Sequence, residues 1–308
     1  MRPIKHYCYL CIIEYQSTRM SNQESIFLQR FNSNDECIHY LANIKWPNEN
    51  FACKRCDNVT FHKGRTPYSR RCSKCKYDES VTAGTMFEKL KFPLLTAFSI
   101  IFKMANSGEG CSSAELARQF DLQQKTCWAF KKKVQYAMGK IMQKKLKDDV
   151  AVRILNIYDE ESSTWYFQQI RPKQRVAVAV QIKKRRVEKA IGQVINDAKA
   201  KYLRPFLNQS IDPSAHIIMM DDYGFKVLQN EYQIEFLSPH TKRMKPLMDY
   251  FADLKYWIGK ERHNCSYNKL QGYLDEYNYR LNHRNRPLRN FEAVIRAMMK
   301  EKDADANK

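Results

Sequence analysis

The sequence predicts an α+β chain of several domains, and three observations carry that expectation. Two Cys-x2-Cys pairs, Cys53/Cys56 and Cys72/Cys75, stand fifteen residues apart. Two short helical stretches, Ser112 to Phe120 and Gln124 onward, flank a three-residue turn, Asp121-Leu122-Gln123. Past Asp149 the helical spacing gives way to branched, alternating runs. The expected order is an N-terminal extension (1–23), a helical preface (24–50), a zinc ribbon (51–90), a helix-turn-helix region (91–149), a mixed α/β domain (150–265) and a basic helical tail (266–308).

The preface reads as one or two helices over Glu24 to Trp46, with Phe27, Leu28, Phe31, Ile38, Leu41 and Ile44 apolar and Ser33 or Asn34 as a cap. Short extended pieces, Asn58 to His62 and Ser69 to Cys72, are expected between the cysteine pairs. Pro93 then opens a helix through Met104, Ser112 or Ser113 caps a second through Phe120, and Gln124 or Lys125 begins a third that runs to about Lys147. Val150 to Tyr158 and Arg175 to Ile182 read as strands, the latter alternating Val176, Val178 and Val180 with Ala177 and Ala179. Lys189 to Leu207 reads as a mixed helical stretch, His216 to Met220 as a short strand, Pro246 to Gly259 as a helix and Ser266 to Met299 as a helical tail, with polar residues Glu301 to Lys308 at its end.

Composition narrows the partner. Lys and Arg number 53 against 33 Asp and Glu, a formal net charge of +20, which favours a polyanion such as nucleic acid; a merely soluble or ribosome-associated basic protein would share that balance. With 44% hydrophobic residues the chain can bury a core. The longest apolar run, Phe92 to Phe102, contains Pro93 and Thr96 and falls short of the roughly 18 residues a membrane helix needs, so no membrane partner is expected. Tyr7 to Ile13 is too short, and too poor in small residues at its end, for a secretory signal; Met20 opens a polar segment that reads like a start. Four of the ten cysteines have metal-ligand spacing and the rest are scattered, which fits a reducing cytoplasm better than a disulfide framework.

The two cysteine pairs can close a tetrahedron of thiolates on one structural Zn²⁺, a site with no open position for activating water. Cys8 and Cys11 repeat the spacing without a second pair nearby, and are read as unliganded. In the helical hairpin Leu122 turns inward, the second helix would present Gln123, Gln124, Lys125 and Lys131 to a DNA groove, and Trp128 with Phe130 or Val134 would face the core or the first helix. Lys131, Lys132 and Lys133 are expected to clamp phosphates rather than read bases. A surface hairpin with a solvated basic face would look the same in isolation, and the ribbon just upstream tips the reading to double-stranded DNA. A zinc-ribbon adaptor for another protein would account for the cysteines but leave the basic hairpin without a purpose.

Beyond these signals, Ser80-Val-Thr-Ala-Gly-Thr-Met-Phe-Glu88, Ser112 to Phe120, Lys125-Thr-Cys-Trp128, Arg175 to Ile182, Ile195-Asn-Asp-Ala198, Leu203-Arg-Pro-Phe206 and Leu270 to Tyr277 followed by Tyr279-Arg280 are family-like. With them the chain, from about Gln23 on, resembles insertion-sequence transposases of family 1595, the ISXO-like group. The resemblance implies an RNase H-like domain in which carboxylates hold two Mg²⁺ ions for strand cleavage and transfer, a homo-oligomer assembled on DNA, and a place on the bacterial nucleoid. Its first acid matches Asp159-Glu160, although Glu161-Ser162-Ser163 lacks the glycines that follow it in the family. Its second falls on Met220 in an ungapped match through Gly224 and Glu231-Tyr232, one residue before Asp221. A one-residue slip on a strand reverses the side-chain face. The third slot falls at Pro246 to Met248, beside Asp249, with Asp253 further on. The expected catalytic set is therefore Asp159, Asp221 and Asp249. Two readings stay open: a transposase that cuts and joins element ends, and a DNA-binding protein of the same descent whose nuclease domain has decayed or been reused.

Overall fold

A computed structural model of the chain describes residues 22–108, 110–142, 144–157, 174–220, 223–238, 240–261 and 267–300. The preface forms two helices, α1 (Asn22–Arg30) and α2 (Asn34–Lys45). Ser33 is the cap between them, in extended backbone with its hydroxyl accepting from the Glu36 N–H. Three short antiparallel strands follow, β1 (Phe61–Lys63), β2 (Arg70–Cys72) and β3 (Asp78–Glu79).

Next come α3 (Leu94–Asn106), α4 (Ser113–Phe120) and α5 (Gln124–Ile141). Pro93 stands at the cap of α3, where its missing N–H costs nothing, and Ser112 caps α4 by accepting from Glu115 N–H at 3.1 Å. The chain leaves α5 at Ile141, earlier than expected. Leu146 is drawn into a backbone bridge instead, donating to Ser210 O and accepting from Asp212 N, each at 2.8 Å.

The second half is built on β4 (Asp149–Ile157), β5 (Gln174–Lys183), β6 (Arg186–Ile195), β7 (His216–Met220) and β8 (Ile234–Leu237), in the order β6-β5-β4-β7-β8. The first three strands meander antiparallel, and β7 and β8 add parallel to β4. Helix α6 (Ala200–Ser210) lies between β6 and β7 in the chain, and α7 (Lys245–Glu261), α8 (Tyr267–Asn282) and α9 (Pro287–Met299) follow β8. One expectation is corrected here: Lys189 to Leu207 is the greater part of a ten-residue strand and then a separate helix. The turn that creates the strand, Lys184-Arg185, takes positive φ at both residues (49° and 61°), as a tight hairpin requires, without the Asn-Gly pair that would advertise it.

Alternation on β5 assigns the sheet its two faces. Val176, Val178 and Val180 join Ala151, Leu155 and Ile218 against Leu247, Leu254, Leu270 and Leu274 of α7 and α8. Ala177 and Ala179 line the opposite face with Val150, Val152, Ile217 and Met219, where small side chains admit Leu203, Phe206 and Leu207 of α6.

The C-terminal helices are structural members rather than an appendage. Helix α8 packs on β6 and also on α5, while α9 crosses back to the N-terminal half. There Phe291 meets Phe27, Phe98 and Phe31 at ring-centroid distances of 5.1, 5.3 and 5.4 Å, inside one core with Ile101, Val134 and Ile295. Met86 N also donates to Met298 O at 3.0 Å. The first and last described helices are thus part of a single core. Replacing Phe291 by Ala should cost about 3–5 kcal/mol, and urea denaturation followed by tryptophan fluorescence should show the midpoint fall with little change in slope.

Candidate metal centre and nucleic-acid interface

Cys53, Cys56, Cys72 and Cys75 converge, with all four sulfurs within 4.8 Å of one another. The two pairs interlock: Cys53 Sγ lies 3.5 Å from Cys75 Sγ, and Cys56 Sγ lies 3.6 Å from Cys72 Sγ. Each knuckle turns the same way. Asp57 N donates to Cys53 O at 2.9 Å and Lys76 N to Cys72 O at 3.1 Å, and both closing residues take positive φ, 57° and 61°. Further N–H groups point at sulfur, from Cys75 N (3.5 Å) and Asn58 Nδ2 (3.6 Å) to Cys72 Sγ. Four soft thiols in this arrangement, with polar hydrogens around them, fit Zn²⁺. A bound ion would supply cohesion that strands of two or three residues cannot. The ribbon is fastened to α2 by Lys45, whose ammonium reaches buried Glu79 at 2.9 Å and the carbonyls of Ser80 and Ala83 at 2.7 and 2.9 Å.

Beyond the ribbon, α4 and α5 meet at a turn closed by Asp121 in the left-handed region (φ 50°), with Leu122 N bonded to Ala117 O at 3.0 Å. Lys103 of α3 braces α4, bonding Glu115 at 2.8 Å and also Gln119. On α5 the buried side is Cys127, Phe130, Lys131, Val134, Gln135, Ala137 and Met138. Gln124 and Lys125 stand exposed at the helix start, as expected.

Two expectations change on this helix. Lys131 is buried: its ammonium donates to Cys111 O at 2.5 Å and lies 3.5 Å from the Glu276 carboxylate. It is therefore turned away from any phosphate. Lys132 and Lys133 are both half-buried: Lys133 donates to Met86 O at 2.9 Å and so is drawn toward the protein, while Lys132 lies over the Trp128 ring. The second change is Trp128, which is only half-buried and carries ammoniums near its ring, Lys132 at 5.0 Å and Lys269 at 4.9 Å from the centroid. Lys269 belongs to α8 and was invisible to a reading confined to the hairpin. The outer face of α5 therefore presents Gln124, Lys125, Trp128 and Lys132, extended by a lysine from the far end of the chain.

Beneath that face is a buried ionic joint. Glu276 is fully buried and takes Lys131, Arg280 Nη1 at 3.1 Å and Gln135 Nε2 at 2.7 Å. Among the described residues, the second-half acids are not assembled into a comparable centre. Asp249 is exposed on the first turns of α7, paired with Lys245 at 2.9 Å, and Asp253 is exposed one turn on. Asp159 and Asp221 lie outside the described residues. The side chain that β4 sends toward α7 between Ala151 and Leu155 is Arg153. Its Nη1 stands 3.1 Å from Met248 Sδ and its guanidinium carbon 5.3 Å from the Phe251 ring centroid.

Sequence comparison places this order of cysteine ribbon, helical pair and mixed sheet among the transposases. Residues 32–78 match the transposase zinc-ribbon domain and residues 156–282 match the ISXO2-like transposase domain. Together the two matches take in more than half of the chain, which belongs to the IS1595-like transposase family. A search of curated proteins gives no match. Among the described residues no helix is long and apolar enough to cross a membrane.

Two measurements test this geometry. Elemental analysis should find one zinc per chain, lost in Cys72→Ser, with chelation lowering the melting temperature and abolishing ribbon order. Lys131→Ala should lose about 3 kcal/mol by leaving the buried Glu276 charge to Arg280 and Gln135 alone, whereas Lys125→Ala on the exposed face should change stability by less than about 0.5 kcal/mol. Parallel denaturant titrations of the two variants would resolve that difference.

Proposed function

We infer that this chain binds double-stranded DNA through α4 and α5, acting as a helix-turn-helix with α5 in the major groove, and that its second half is an RNase H-like domain that positions DNA without cutting it. The single observation that carries the first part is the exposed start of α5, where Gln124 can reach base edges while Lys125, with half-buried Lys132 further along, neutralises phosphates. The net charge of +20 and the family's zinc ribbon support it. The sheet order, with one antiparallel meander followed by two parallel strands, is the arrangement an RNase H-like domain would have.

The second part rests on the junction of β4 and α7. Two Mg²⁺ ions held a few ångströms apart need hard oxygen donors converging from neighbouring strands and a helix. At this junction the chain supplies a guanidinium, a thioether and an aromatic ring, in Arg153, Met248 and Phe251. Burial pulls the Arg153 guanidinium below its ordinary pKa but leaves it a cation, and a cation opposes a second cation. Asp249, the nearest carboxylate to the third family slot, is committed to Lys245. These described residues of the junction do not fit Mg²⁺; Asp159 and Asp221 lie outside the described residues. The family's second slot, Met220 in an ungapped match, is likewise not an acid.

A second reading, an active transposase that cuts and joins element ends as a homo-oligomer, is favoured by one sequence feature: Asp159-Glu160, inside the matched segment 156–282, is the acidic dipeptide the family carries. A nicking assay on supercoiled DNA carrying candidate terminal repeats separates the two. The expected result is retained duplex binding with no Mg²⁺- or Mn²⁺-dependent nicking, and identical behaviour in Asp159→Ala and Asp221→Ala. Metal-dependent nicking that disappears in those two variants would establish the active reading instead. For the interface itself, Gln124→Ala should erode discrimination between the preferred site and a scrambled duplex by about 1–3 kcal/mol, and Lys125→Ala should weaken both duplexes equally.

A further inference from the structure

The other strongly charged surface of the molecule lies at the far end of α5. The helix is 18 residues long, so its last turn stands about 26 Å from the hairpin turn. Three residues beyond it the chain enters a cleft of ≈ 610 Å³. Lys144, Lys145 and Lys147 form one wall, and Lys183 and Lys189 of the β5–β6 hairpin form the other. All five are exposed, and the hairpin turn that overhangs them adds Lys184, Arg185 and Arg186, also exposed.

This surface is built rather than incidental. Leu146, 1% exposed, is pinned to α6 and the segment after it by its bridge to Ile211, which fixes Lys145 and Lys147 on either side of a buried anchor. His216 N bonds Asp148 O at 3.0 Å, tying the same segment to β7. Across the cleft, Gln181 is 7% exposed and its Nε2 donates to Asp148 Oδ2 and Glu188 Oε2, both at 3.3 Å, linking the two walls. The third carboxylate of the cleft, Asp212, accepts from Ser214 N and Oγ at 3.1 and 2.7 Å and lies 3.8 Å from Lys147. The acids are thus engaged in holding the cleft's shape, and the cations outnumber them at its rim.

We propose that this cleft is a second DNA-binding site, taking the phosphate backbone of duplex DNA independently of the α5 face. The proposal rests on the reading of the chain as a DNA-binding protein, and goes beyond it in placing a sequence-independent contact on the sheet domain. The separation is several Debye lengths at physiological salt, so phosphates neutralised here and at α5 count separately in the salt dependence of binding. A duplex longer than the footprint of one helical hairpin could meet both surfaces, and a second duplex could occupy the cleft alone.

The test is fluorescence anisotropy of the zinc-loaded full chain with a 40-bp duplex over graded KCl, using Lys145→Ala/Lys183→Ala/Lys189→Ala and, in parallel, Gln124→Ala/Lys125→Ala. Circular dichroism and melting temperature serve as the check that each variant is folded. The triple variant should lower the slope of log K against log[salt] by about two to three and weaken binding at least tenfold. It should leave the ratio of preferred to scrambled duplex unchanged. The Gln124/Lys125 variant should instead lose that ratio. An unchanged slope and affinity in a folded triple variant would overturn the proposal while leaving the α5 reading standing. A triple variant that behaves as expected beside an α5 variant with no effect on either quantity would overturn the α5 reading alone. A wild-type chain that ignores duplex DNA at low salt would overturn both.

Discussion

The buried carboxylate of Glu276 is the constraint on which the arrangement of the two halves depends. A fully buried charge is tolerable only when it is paired and hydrogen-bonded, and each of its partners carries a structural consequence. Lys131 and Gln135 come from α5, whereas Arg280 lies one turn along α8 itself. Helix α8 in turn packs on β6, where Gln271 Oε1 accepts from Val194 N at 2.9 Å and Asn282 Oδ1 accepts from Ala190 N at 2.7 Å. Any displacement of α5 relative to the sheet would break a buried ionic contact. Helix α5 and the sheet are therefore held together, and α8 is common property of both.

That constraint also explains which features could be read from the sequence and which could not. Elements with local chemistry were legible: the cysteine knuckles, the Ser33 and Ser112 caps, Pro93 at a helix start, and the Val/Ala alternation of β5. Features set by distant parts of the chain were not. Lys131-Lys132-Lys133 looks uniform, yet the helical period puts Lys131 on the stripe of Cys127 and Val134, where it is held by a glutamate 145 positions later in the chain. Lys269 joins Trp128 from a comparable separation. Strand β6 was hidden because Lys and Arg at a two-residue turn give no turn signal, and because its outward positions carry charges at a spacing a helix could also use. The tail read as basic and peripheral, whereas its Phe291, Val294 and Ile295 complete the first core. For the candidate catalytic acids, sequence located the family slots and the imperfect matches to them. It could not show that Arg153, inside an otherwise branched strand, points at the helix that should carry the third acid.

The ribbon, the helical pair and the first core depend on none of those acids. Their free energy comes from apolar burial around Phe27, Phe98 and Phe291, from the thiolate site and from the Lys45–Glu79 and Lys131–Glu276 pairs. Chemistry at the β4–α7 junction can therefore change without loosening the outer face of α5. The reverse does not hold, because Lys131 ties that surface to α8 and the sheet.

A metal-free cluster of carboxylates is a costly thing to hold inside a fold, since like charges repel and each resists leaving water. Active sites commonly retain such strain because function demands it. A thioether and an aromatic ring fill space with dispersion contacts instead, and a guanidinium lying on that ring keeps its charge while covering apolar surface. Arg153, Met248 and Phe251 have that character. Packed in this way, the seam stiffens β4 against α7, and the Glu276 joint in turn ties α8 to α5.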